Sequence, residues 1–208
     1  MKQKWNTHTL THLALLVAVE LVMKVVGLGS VPMGPLYMSF LTLPVAVGAI
    51  LLGPVEGMIL GGVFGAVSLK DAVSGVSSMT GALFQVSPFH TVILCVGTRM
   101  LMGLCVGLLF RLLSRLDRRK LWSCMAAAFA APILNTAFFM GYICLAFYHC
   151  AYVQNLVQTL GAVNPFFFVV LLVGVQGLVE TGVCGLLGGV VCKALLGAFR
   201  RSDSTAAA

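Results

Sequence analysis

The chain has 208 residues, of which 60% are hydrophobic and only 9% charged, and its mean hydropathy is +1.04. A soluble domain carries about 25% charged residues, so this composition excludes an ordinary soluble fold and points to an integral membrane protein. The net charge of +7 does not signal nucleic acid, because the basic residues stand at the ends of apolar segments, where membrane topology places them.

Taken in chain order, Met1 to Thr11 is polar and lacks a secretory cleavage pattern. The first span is expected from about Leu10 to Val26. The second and third, about Tyr37 to Leu52 and Val55 to Leu69, form a hairpin inside the apolar run Met38 to Leu69, folded at Gly53-Pro54. As a single helix that run would overshoot a bilayer, which about 20 residues already cross. Its second half carries Gly57, Gly61 and Gly65 at every fourth position, a smooth face suited to close backbone contact. The fourth span is expected from Phe89 to Leu113, the fifth from Leu121 to Phe147 and the sixth from Phe166 to Leu196. The expected fold is therefore an all-α bundle of six transmembrane helices, one membrane domain over residues 1–200, with a disordered cytoplasmic tail from Arg201 to Ala208.

Lysine and arginine set the orientation. Lys2 and Lys4 precede the first span, Arg111, Arg115, Arg118, Arg119 and Lys120 separate the fourth and fifth, and Lys193, Arg200 and Arg201 follow the sixth. The basic-side rule puts these clusters, and both termini, in the cytoplasm. The outer loops are then Gly27 to Leu36, Lys70 to Pro88 and Tyr148 to Pro165. The seven cysteines show no metal-type pairing and read as small hydrophobes, with a Cys144–Cys150 disulfide as the alternative.

A few polar residues do not belong in lipid. Arg99 precedes Arg111 by twelve residues, which at 1.5 Å per residue places it about 18 Å from the cytoplasmic end of its span. Arginine at the centre of a span costs about 2.5–3.5 kcal/mol on insertion scales, so it should face the bundle interior and have a partner. That partner is either an anionic ligand, which suits the planar guanidinium fork, or Glu180. Gln176 lies one turn before Glu180 on the same face of the sixth span, a polar stripe towards a cavity. Asn135, mid-span after Pro132, either bonds across helices or holds a ligand's hydroxyl or amide group. Lys24 is expected to snorkel to the interface and to pair with Glu20, four residues earlier. His90, at the outer start of the fourth span, either binds substrate or is simply interfacial, and Glu56 stands in the hairpin turn, where a charge costs little. Gly185 and Gly189, four apart, serve internal packing or dock another protein.

Three passages together resemble the substrate-binding S component of energy-coupling factor (ECF) vitamin transporters. They are LALLVAVELVM from Leu13 to Met23, with Ala14 and Ala18 four residues apart; the hairpin LPVAVGAILLGPVEGMILGGVFGAVSL from Leu43 to Leu69; and PILNTAFFMGYI from Pro132 to Ile143. The last two are most similar to the pantothenate-type branch. The resemblance implies a six-helix bundle with a ligand cavity near its outer face. Its implied partners are a small-molecule vitamin, a membrane coupling protein that meets Ala14 and Ala18, and two cytoplasmic ATPases. It implies release by toppling in the cell membrane and no nucleotide chemistry or cofactor in this chain, which has no GxxxxGK[ST] loop. Arg99 and Asn135 then suit a carboxylate and a hydroxyl or amide, and Tyr37, Phe40, Phe84 and Phe89 are placed near the outer mouth. The alternatives are a membrane-embedded enzyme, which would cluster acids, histidines or a nucleophile at one depth, and a stand-alone carrier, which would show internal repeats.

Overall fold

The computed structural model describes residues 7–29, 31–33, 36–117, 121–162 and 164–206. Helix α1 (Thr7–Val25) ends before Gly27, whose φ of 91° is left-handed and so favours a residue without Cβ. A small antiparallel hairpin follows, β1 (Val31–Met33) with β2 (Leu36–Met38), in which Val31 faces Met38 and Pro32 faces Tyr37. Helix α2 covers only Thr42–Leu51, about 15 Å at 1.5 Å per residue and half the thickness of a bilayer core.

This corrects the expected second span from Tyr37 to Leu52. Pro44 is the reason. It fits the first turn of α2, where no intrahelical partner exists for an N–H, but a helix extended back towards Tyr37 would press its ring against the carbonyl four residues earlier. Eight of the ten residues of α2 are buried, and it packs against α1, α3, α6, α7 and α9. A helix apolar on every side belongs at the centre of a bundle, and α2 sits there.

The turn after α2 runs through Gly53, at φ 135°, into Pro54, the first residue of α3 (Pro54–Val73), the position where proline starts a helix at no cost. Helix α4 (Ser78–Val86) bends away from α3 by 80°. Helix α5 (Pro88–Val92), a π-helical turn over Ile93–Gly97 and α6 (Thr98–Leu113) form one rod of 26 residues. Helix α7 (Leu121–Ala146) is followed by the short α8 (Ala151–Thr159) and by α9, whose helix runs from Pro165 to Ala206 and so into the segment expected to be a tail. Among the described residues four helical stretches are long and apolar enough to cross a membrane, and α3 with α4 makes a fifth. Parts of the expected outer loops are thus helical, as α4 and α8.

The glycine stripe of α3 lies against α6. A Cβ on Gly57 would stand 2.7 Å from the Gly103 carbonyl, one on Gly65 2.6 Å from the Val96 Cα, and one on Gly61 would overlap the Arg99 carbonyl. The stripe therefore sets the depth of Arg99. On α9, Gly185 and Gly189 are buried, and a Cβ there would collide with Phe129 and Met125 of α7. Those glycines serve packing within the bundle and not docking. All seven cysteines are free, so Cys144 and Cys150 form no disulfide.

Helix α1 is the most loosely held of the long helices, with 11% of its window buried. Ala14 and Ala18 are on its exposed face, while Leu13 and Glu20 are buried. The expected Glu20–Lys24 pair is not formed, and Lys24 does not simply snorkel: its ammonium pairs with Asp71 at the end of α3. Glu20 is fully buried with no hydrogen-bond partner on either carboxyl oxygen. Glu56 is likewise buried, at 1% exposure in the first turn of α3, and not a free charge in a turn; a carboxylate there suits the positive helix end. A buried polar group left unmet costs about 1–3 kcal/mol. Glu20→Met, similar in shape and apolar, is therefore expected to raise the melting temperature of the detergent-solubilised chain. A lower one would mean that the carboxyl has a partner in the folded protein.

Candidate functional site

A cavity opens between two apolar clusters. One is built on α2 and includes Leu41 and Phe64; the other packs α4 and α8 against α7 and the start of α9 and includes Phe139, Met140 and Val173. Residues of both line the cavity, and so does a polar set drawn from four helices: Asp71 of α3, Arg99 of α6, Asn135 of α7, and Gln176 and Glu180 of α9.

Arg99 is 7% exposed and held from three sides. Its guanidinium carbon lies over the rings of both Phe64 and Phe139, 4.5 and 4.8 Å from their centroids. Stacking of this kind stabilises a cation in a dry site. Its Nη1 donates to the Cys95 carbonyl at 3.0 Å. That carbonyl belongs to the π-helical turn, where the Thr98 N–H reaches back five residues to Ile93 and the Thr98 hydroxyl donates to the Leu94 carbonyl at 2.5 Å. Such wide turns recur at functional sites; here the turn anchors the arginine. Arg99 lines the cavity, and its buried Nε has no hydrogen-bond partner. No ion pair joins Arg99 to Glu180.

Glu180, 4% exposed, accepts only a long hydrogen bond of 3.4 Å from the Thr42 hydroxyl. Gln176 Oε1, Asn135 Oδ1 and the Thr80 hydroxyl, all on the cavity wall, have no partner. Buried polar atoms are normally satisfied. Four unmet ones around a single cavity are what a binding site for a polar molecule requires. Asp71 also lines the cavity, with Lys24 of α1 as its partner.

Four residues singled out from the sequence therefore meet at one cavity: Arg99, Asn135, Gln176 and Glu180. His90 does not join them. It is exposed, takes part in a 3.0 Å hydrogen bond with Ser87 Oγ, and packs beside Phe89, Tyr142 and Phe147. Tyr37 lies in β2, and its side chain falls outside the described residues. The aromatic wall comes from Phe64 and Phe139, not from Phe40, Phe84 or Phe89. Asp71 was missed because the third span was expected to end at Leu69. The spacing Phe64, Ser68, Asp71 follows one helix face, and all three line the cavity; that pattern was the available signal.

Membrane-length helices around a buried, unmet polar cavity define a membrane protein that binds a small polar molecule. The model of the ECF transporter substrate-specific component family matches residues 8–191, and the chain belongs to this family. It is thus a substrate-binding transporter subunit and not an enzyme, and it works with an ECF module. No curated protein matches the chain.

Proposed function

We propose that this subunit captures a vitamin or related small acid, with pantothenate as the first candidate, from outside a bacterial cell and releases it inward by toppling against a membrane coupling protein driven by two cytoplasmic ATPases. The observation that carries the reading is the cavity-lining guanidinium of Arg99, which has an unmet Nε and no ion pair and suits a carboxylate, with Asn135 and Gln176 offering partners for hydroxyl or amide groups.

Direction follows from the helix ends. A Cβ on Gly107 of α6 would meet Pro54, so the hairpin turn lies beside the Arg111 end of the rod. Arg99 and Asp71 lie towards the opposite end of α6 and α3. With the Arg111 end of the rod in the cytoplasm, as the basic-side rule places it, the cavity faces outward. Titration of the purified chain, without ATPases, against pantothenate and the other B vitamins is expected to show saturable binding of at least one. If none binds, the uptake reading fails.

Ala14 and Ala18 lie exposed on the most loosely packed long helix, which suits a sliding contact between backbones. Ala14→Trp or Ala18→Trp is expected to stop uptake into cells while leaving binding by the purified chain unchanged. Loss of binding instead would assign the pair to packing inside the subunit.

A further inference from the structure

The four ionisable residues tied to the cavity split into one satisfied pair and two separate poles. Lys24 and Asp71 neutralise each other. Arg99 lines the cavity with Nε unmet, and no ion pair connects it to Glu180, which is met only by the long Thr42 bond. The cavity therefore presents one cation and one carboxylate to its ligand. Two further unmet acceptor atoms line the same cavity: Gln176 Oε1, one turn from Glu180 on α9, and Asn135 Oδ1 on α7. Arg99 Nε is the one guanidinium nitrogen that is buried and unmet.

We infer that Glu180 is the specificity determinant of the cavity: it selects molecules that carry hydrogen-bond donors, such as hydroxyl, amide or ammonium groups, opposite their acid group, and rejects molecules with a second negative charge. The inference rests on the cavity being the substrate site. One anionic group is accommodated at Arg99, and among the described residues that line the cavity there is no second cation, so a second anion finds no counter-charge there. It is left facing Glu180 in a poorly screened interior, where like charges repel strongly. Donors placed there satisfy Glu180 and Gln176, which is one turn away on the same helix. Specificity of this kind comes from the repulsive element as much as from the attractive one.

The test uses the purified full chain in lipid nanodiscs and two pairs of probes that differ by one added negative group: pantothenate and 4′-phosphopantothenate, nicotinate and quinolinate. At least one singly acidic member is expected to bind, with its doubly acidic partner about a hundredfold weaker, a difference of two decades in Kd. Glu180→Gln is expected to shrink that gap to about tenfold or less, and Glu180→Asp to keep it. Should Glu180→Gln fail to fold, Gln176→Glu serves instead, because a second carboxylate one turn away is expected to widen the gap. A doubly acidic probe that binds as tightly as its partner, or a gap unchanged in Glu180→Gln, overturns the role of Glu180 and leaves the uptake reading standing. Binding only of a vitamin without an acid group does the same. Failure of every vitamin and probe to bind overturns both.

Discussion

Arg99→Ala is expected to abolish ligand binding at accessible concentrations while the chain still elutes as a folded species. Truncating one partner of a buried, hydrogen-bonded charge pair costs about 2–5 kcal/mol, which is about thirtyfold to several thousandfold in Kd. Arg99 should fall towards the upper end, because Phe64 and Phe139 at 4.5 and 4.8 Å hold the guanidinium in place before a ligand arrives, so little ordering offsets the gain on binding. Folding should survive because the bond lost is a single one to the Cys95 carbonyl, and removing a buried cation without an ion partner relieves a desolvation penalty. Arg99→Lys keeps the charge but not the planar fork and is expected to bind with intermediate affinity. Titration calorimetry with the best-binding vitamin decides it: unchanged affinity in Arg99→Ala would remove the arginine from the site.

The polar members of the cavity were legible because polarity inside an apolar run is itself the signal. Arg99, Asn135, Gln176 and Glu180 stand in segments where a charge or amide is costly, and the structure gathers them. The glycine stripe was equally legible, since a face without side chains has few uses besides close approach, and it packs on α6 as that logic requires. What escaped notice was set by partners far away in sequence. Asp71 looked like a loop residue beside Lys70, and only the continuation of α3 to Val73, with Lys24 arriving from α1, turns it inward. Phe64 and Phe139 carry no sequence signal of their own, because their role depends on Arg99 of another helix packing against both rings. The half-length of α2 was hidden because apolar composition does not distinguish a helix that crosses lipid from one sealed at the centre of a bundle. The expected contact of Lys24 with Glu20 was sound for an isolated helix, but tertiary structure offered Lys24 a different carboxylate.

Gly61→Val is expected to cause the largest loss of folded protein of any single change considered. The added Cβ would fall on the carbonyl of Arg99, and backbone, unlike a side-chain tip, has no rotamer by which to yield. The strain would not stay local. Gly57 against the Gly103 carbonyl, Gly65 against Val96 and Gly107 against Pro54 repeat the same close approach along α3 and α6, so parting the helices at Gly61 loosens every level. Overpacking a core typically costs about 1–3 kcal/mol. In a membrane no hydrophobic force presses the separated helices together again, because lipid competes for the same apolar surfaces. Any molecules that do fold should bind ligand poorly, since the displaced backbone is that of Arg99 itself. Gly62 provides the control: a Cβ there meets only the Met100 side chain, at an ordinary contact of 3.5 Å to Cγ, and Gly62→Ala also removes glycine's helix penalty of about 1 kcal/mol. Gly61→Val is therefore expected to lower the yield of monodisperse protein and its melting temperature sharply, and Gly62→Ala to leave both unchanged or raised. Equal melting temperatures for the two variants would show that α3 does not seat the Arg99 helix through its glycine face.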